Sequence, residues 1–233
     1  MSRPHLLLLP GLLCDARLWQ HQASALASSA HVSIANLADE NTISAMASAV
    51  LAMAPDETFA LAGFSLGGYV ALEIFRQAPH RVTAMALLDT SARPDTEANT
   101  EARKQSIIMA TLDFPQVIEE LLPKLLHPAH LDHPELIEVV RAMANSQGAQ
   151  VCINQQRAMI DRIDSQPDLS RITCPTLVLC GRADAITPPE VHREMADAIP
   201  NAHLAIIEGC GHLAPLEQAH AVSREMNNWL ARL

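Results

Sequence analysis

Thr58-Phe59-Ala60-Leu61-Ala62-Gly63-Phe64-Ser65-Leu66-Gly67-Gly68-Tyr69-Val70-Ala71-Leu72-Glu73-Ile74-Phe75 decides the fold. Its first residues are an apolar run of strand character. Gly68 to Phe75 reads as a helix. Between them lies G-x-S-x-G, which carries chemistry only in this strand–turn–helix setting. The turn is so sharp that the backbone at Ser65 is strained and side chains two residues away would collide, so glycines flank it. The hydroxyl is thereby held at a helix N-terminus, where free N–H groups and the dipole favour negative charge. The plainer reading is a strand–helix turn whose serine caps the helix. The flanking strand and helix favour a nucleophile instead.

A nucleophilic serine needs a base, and the base needs an orienting acid. Pro175 to Gly181 is a short buried strand ending in glycine, and Asp184 lies in the loop after it, just before a helix starts at Thr187-Pro188-Pro189-Glu190. Ala202 to Glu208 is another strand, ending in Gly209-Cys210-Gly211-His212. Ser65, Asp184 and His212 thus each follow the C-terminal end of a strand, the edge where open α/β sheets bind ligands.

Ser…Asp…His in this chain order resembles the α/β-hydrolases. The resemblance rests on Leu9-Pro10-Gly11-Leu12, Gly63 to Gly68, Gly181-Arg182-Ala183-Asp184 with Thr187-Pro188, and Gly211-His212-Leu213-Ala214-Pro215-Leu216-Glu217. It implies a serine hydrolase of the esterase or lactonase type, with Ser65 as nucleophile, His212 as base and Asp184 as acid. It also implies an oxyanion hole made by the backbone N–H groups of Leu12 and Leu66. Relatives often carry His-Gly where Pro10-Gly11 stands. Asp89 competes for the acid's role, since it ends the strand at 82–88 and some relatives place their acid there. Asp184 matches the commoner pattern.

Composition agrees. A chain of 233 residues, 49% hydrophobic and 18% charged, suits one large α/β domain with an ample core. A formal net charge of −10 argues against a nucleic-acid partner. No apolar run reaches the length of a membrane span. The N-terminal leucines read as a central strand, not as a signal peptide. The expected compartment is the cytoplasm. Cys14, Cys152, Cys174, Cys180 and Cys210 are odd in number and scattered, which reads as reduced thiols without a metal pattern. A nucleophilic Cys210 is the sharper alternative, but it lacks an elbow around it.

Strands are expected near 5–10, 31–37, 58–64, 82–88, 175–180 and 203–208, with helices over 16–30 and 42–53 and after the elbow. This alternation predicts a predominantly parallel sheet of about six strands with helices on both faces. The edge hairpin common in the family is absent from this reading. Between Asp89 and Arg171 strands disappear, and 97–110, 115–126, 134–146 and 149–163 read as amphipathic helices. The resemblance places a lid at this point, so residues 95–170 are expected to form a small helical cap on a core of 1–94 and 171–233. Substrate-pocket expectations fall on Leu13, Met109, Met143, Ile186 and Leu213, with Met159 as a further cap methionine. The alternative for each methionine is plain core packing. His127, His130 and His133 are not read as a metal site, because Pro128 and Pro134 break their helical presentation.

The expected reaction is acyl transfer from a small, largely apolar ester or lactone, with no cofactor. Thioester or carbon–carbon bond hydrolysis would use the same residues. A different class, a slow-turnover ligand receptor on this scaffold, would keep the same triad.

Overall fold

Successive residues of strand β1 (His5–Leu9) point to opposite sides of a sheet, and both sides are apolar. Leu6 and Leu8 enter one buried cluster, Leu7 and Leu9 another. A strand buried on both faces needs helices above and below it, which is what parallel βαβ connections supply. The computed structural model describes residues 3–55 and 57–233.

The sheet contains β1, β2 (His31–Ile34), β3 (Phe59–Phe64), β4 (Val82–Leu88), β5 (Thr176–Gly181) and β6 (Ala202–Ile207), in the order β2-β1-β3-β4-β5-β6. Every neighbouring pair is parallel. The chain runs outward from β1 to β2, then crosses back to β3 on the other side of β1. That reversal leaves a crevice beyond the C-terminal ends of β1 and β3.

One face is covered by α1 (Gln20–Leu26) and α9 (Ala219–Leu230), which pack together through Leu26, Val222, Met226 and Trp229. The other is covered by α2 (Ile43–Met53), α3 (Leu66–Gln77) and α7 (Pro189–Ala198), through Met46, Val70, Ile74 and Met195. Thr42 caps α2 by accepting the Ala45 N–H.

Two expected boundaries shift. The helix expected over 16–30 begins as a 3-10 turn, Ala16–Trp19, because the Asp15 carboxylate takes the Arg17 N–H and tightens the start; α1 then ends at Leu26. The strand expected over 31–37 stops at Ile34, since β1 offers pairing partners only as far as Leu8.

Three helices separate β4 from β5. These are α4 (Glu97–Leu112), α5 (Phe114–Leu125) and α6 (Pro134–Ile160). Thr96 and Asp113 cap α4 and α5 through their side-chain oxygens. Gly148, at φ 81°, interrupts α6, so the helical stretches on either side meet at a kink. A third apolar cluster forms beneath these helices from Leu13, Ala110, Val117, Ile118, Ala144 and Cys152.

Candidate active site

Ser65 follows β3 and precedes α3 with φ 51° and ψ −114°, a conformation a non-glycine residue holds only when its surroundings force it. The surroundings are specific. A Cβ on Gly63 would stand 2.3 Å from the Gly67 carbonyl oxygen, and one on Gly67 would stand 2.3 Å from the Leu9 carbonyl oxygen. Neither backbone atom can move aside. The Ser65 N–H donates to Leu88 O at 3.0 Å, and the Thr90 hydroxyl donates to Ser65 O at 2.8 Å, which fastens the turn to β4.

His212 lies in the loop between β6 and the short helix α8 (Ala214–Glu217). Its Nε2 is 2.9 Å from Ser65 Oγ, and its Nδ1 is 2.9 Å from Asp184 Oδ2. Asp184 is anchored in turn. Oδ1 accepts the N–H groups of Ile186 and Thr187, and Oδ2 accepts the Thr187 hydroxyl at 2.7 Å. Burial pushes the Asp184 carboxyl up. The charge and hydrogen bond of His212, with the Thr187 donors, outweigh this and hold it at about 2. Asp184 and His212 are buried, whereas Ser65 is only half-buried. The reactive hydroxyl is reachable while its partners are dry.

The loop after β1 carries a second strained residue, Leu13, at φ 56°. Its N–H donates to Gln155 Oε1 at 2.9 Å, and Gln155 Nε2 donates to Leu37 O at 3.1 Å. A buried glutamine from α6 therefore locks the loop. No hydrogen-bond acceptor takes the Leu12 N–H among the described residues. Leu66 opens α3, so its N–H has no acceptor within the helix.

Met109, Leu12 and Phe114 are each half-buried against the cluster that contains Leu13. Met143 and Leu213 lie in the core with Phe64, Leu122 and Leu126, each 1% exposed. Ile186 stands apart, at 42% exposure. A cavity of about 280 Å³ lined by Tyr69, Arg76, Arg93, Arg162 and Ser165, among others, contains none of the triad residues. Its three arginines are ion-paired with Asp168, Glu194 and Asp95.

Asp89 ends β4 at φ 45°. Its Oδ1 accepts the Gly181 N–H at 2.9 Å, and it does not hydrogen-bond His212. Burial first, and the Asp184 charge next, push its carboxyl well above the usual range. Cys210 is fully buried, and burial raises its thiol further from ionisation, so it is no nucleophile. His192, also buried, accepts the Thr90 N–H, and burial lowers it to about 4, keeping it neutral.

Residues that sequence reading left without a role tie the helices to this edge. Glu217 is wholly buried. It accepts the Gly211 N–H at 2.8 Å and the His127 N–H at 2.7 Å, and meets His130 Nδ1 at 2.7 Å. Leu125 O accepts from both His212 N and Leu213 N. The rings of His127, His130 and His133 follow one another at 5.5 and 5.2 Å between centroids, the first pair tilted and the second edge-to-face. A carboxylate five residues after His212 was visible in sequence, but only the fold reveals what it holds. Gln155, beside the similar Gln156, carried no distinguishing signal.

A half-buried hydroxyl, an imidazole and a buried carboxylate in one hydrogen-bonded line is a nucleophile–base–acid arrangement. A sequence profile described as the alpha/beta hydrolase family matches residues 6–225. The chain belongs to this family. Among solved structures, an esterase from Thermogutta terrifontis with malate bound superposes with a TM-score of 0.90 at 31% identity, covering 100% of this chain and 90% of that one. The enol-lactonase from Burkholderia xenovorans LB400 has the same fold, with a TM-score of 0.90 at 21% identity over 99% and 92% of the two chains. A protein from Variovorax paradoxus (strain S110), provisionally named carbamate hydrolase RutD, is 28% identical over 179 residues. That match covers 74% of this chain and 66% of the relative.

Proposed function

We propose that this alpha/beta hydrolase is a serine hydrolase cleaving a carboxylic ester or lactone of a small, largely apolar substrate. The observation that carries the reading is the Ser65–His212–Asp184 line, 2.9 Å at each link, with the half-buried hydroxyl at its end. His212 takes the Ser65 proton as the hydroxyl attacks the carbonyl carbon. Asp184 keeps the proton on Nδ1 and stabilises the imidazolium that forms. The N–H groups of Leu12 and Leu66 take the oxyanion. One such donor is worth about 2.7–4 kcal/mol of barrier. The tetrahedral intermediate collapses, His212 protonates the departing alkoxide, and the acyl group remains on Ser65. Water, deprotonated by His212, then releases the acid. The sequence of steps needs no cofactor.

Ester and lactone are favoured over other acyl bonds by the likeness to the Thermogutta esterase over the whole chain. The apolar cluster of Leu12, Leu13, Met109 and Phe114 above the β1 loop suits an apolar acyl group. We assign residues 95–170 as the lid that supplies this wall, and 1–94 with 171–233 as the core that supplies the chemistry. The partner is a small molecule. A net charge of −10 disfavours nucleic acid, and among the described residues no helix is long and apolar enough to cross a membrane. The five unpaired thiols suit the reducing cytoplasm.

The test is a panel of aryl esters, alkyl esters, lactones, acyl thioesters and a vinylogous diketone, compared by kcat/KM for wild type and Ser65→Ala. Fast, Ser65-dependent turnover of esters or lactones supports the reading. A preference for thioesters or for the carbon–carbon bond would move the substrate class while keeping the residues. A single slow event accompanied by a change in shape would identify a receptor.

A further inference from the structure

Asp89 is an unusual neighbour for a catalytic acid. It is 0% exposed. Its backbone is held at φ 45° by the bond from its N–H to Leu179 O, at 2.8 Å. Its Oδ1 is satisfied by Gly181, but Oδ2 is buried without a hydrogen-bond partner. Carboxylate oxygens of Asp89 and Asp184 and a His212 ring nitrogen all lie within 4.8 Å of one another. Two ionised carboxylates this close in a dry site repel strongly, so the pair holds one proton. Asp184 keeps its charge because His212 and Thr187 donate to it. The proton therefore resides on Asp89, in agreement with the upward push on that carboxyl.

A buried O–H needs an acceptor. His212 Nδ1 already donates to Asp184, and His212 Nε2 faces Ser65. The remaining acceptor is the Asp184 carboxylate. Resting on the serine-hydrolase reading, we propose that Asp89 is a positioning residue, a neutral carboxylic acid whose Oδ2–H donates to Asp184 and holds that carboxylate in place for His212. The other titratable groups facing it are Glu217 from α8, Cys180 on β5 and Cys210 in the β6 loop, with His192 of α7 holding the next backbone N–H. None of these can take the proton: the thiols are protonated, Glu217 is committed to Gly211, His127 and His130, and His192 Nε2 accepts from Thr90.

Wild type, Asp89→Asn and Asp89→Gly are compared across pH on the best ester, with Ser65→Ala as control. Asparagine keeps the acceptor for Gly181, supplies a neutral donor toward Asp184 and tolerates a positive φ. Glycine fits the backbone but offers neither. Asp89→Asn stays within about threefold of wild type, and Asp89→Gly loses about 10- to 100-fold in kcat with little change in KM, the scale of one hydrogen bond to a charged group. Wild-type activity falls at alkaline pH as Asp89 ionises beside Asp184, and Asp89→Asn lacks that fall. A readout independent of activity is the Tm difference between the two. The unfolded chain releases the Asp89 proton near the ordinary 3.8 while the folded chain keeps it, so wild type loses stability relative to Asp89→Asn as pH rises above that value. The Tm gap in favour of Asp89→Asn therefore widens with pH. Asp89→Asn as impaired as Asp89→Gly, Asp89→Gly as active as wild type, or a Tm gap flat with pH would each overturn the proposal. If Ser65→Ala hydrolyses the ester like wild type, the serine-hydrolase reading fails instead, and the Tm comparison still decides the protonation of Asp89.

Discussion

The C-terminal edge of the sheet and the three helices between β4 and β5 hold their residues by different means. At the sheet edge the backbone does the holding. Ser65 and Asp89 sit at positive φ, and the glycines around them admit main-chain atoms where no Cβ fits. Between the edge and the helices, side chains join the main-chain tie at Leu125 O: Gln155 of α6 reaches to Leu13, and Glu217 of α8 reaches to His127 and His130. Backbone-held atoms are fixed before any substrate arrives, as electrostatic preorganisation requires. Side-chain ties can be broken one at a time, which suits the lid proposed for this segment. The division teaches where chemistry and selectivity are expected to separate.

The sharpest way to break this comparison is to add one methyl group to each region. A Cβ on Gly181 would stand 1.9 Å from Gly211 O, whereas a Cβ on Gly148 meets nothing within 4 Å and suffers only its φ of +81°. Gly181→Ala is expected to leave no soluble folded protein. Gly148→Ala should fold, with a loss of about 1–3 kcal/mol in urea unfolding. Equal tolerance at both positions would show that the edge is not held by its backbone.

Catalysis should divide in the same way. Asp184→Asn is expected to lower kcat by on the order of 10⁴, the cost of losing the tautomer-setting acid in a serine triad, while Asp89→Asn stays active. A reversed ranking in steady-state kinetics would move the acid to the end of β4.

The edge should also respond to acid. His192 ordinarily titrates at 6.5 and is lowered to about 4 by burial. Between those values the unfolded chain binds the extra proton, so the His192 contribution to stability is complete above the window and falls by up to about 3 kcal/mol as pH drops through it. His192→Gln keeps an acceptor for the Thr90 N–H and should gain Tm relative to wild type as pH falls from 6.5 to 4. An unchanged slope in that variant would assign the acid sensitivity elsewhere.

The smallest effect on turnover belongs to the helices. Met109→Ala should shift the preference between short and bulky acyl groups by tens of fold, about 1–3 kcal/mol, with unfolding little changed. Met143→Ala, in the core with Phe64 and Leu126, should instead cost about 2–5 kcal/mol of stability. If Met143→Ala changes selectivity and not stability, the wall of the pocket lies deeper than the cluster around Leu13.

The same division explains what could be read from the chain. All six strands were legible because each is a short apolar run closed by turn residues, and strands buried on both faces have few other ways to read. The strained placement of Ser65 at the edge was legible because glycine spacing encodes backbone strain locally. The helical segment was legible only as helices. Amphipathic faces predict burial but not partners, so Gln155 was indistinguishable from Gln156, and Met143 from Met109. Asp89 shows the limit within the edge itself. Its place at a strand end was plain, but its relation to Asp184 depends on β4 and β5 pairing in register, Leu88 beside Leu179.

The most direct measurement is intact-protein and peptide mass spectrometry after reaction with a fluorophosphonate. The account predicts one adduct per chain, on the peptide containing Ser65, and none in Ser65→Ala or, on the same time scale, in a folded His212→Ala. Full labelling of Ser65→Ala at another residue would contradict it.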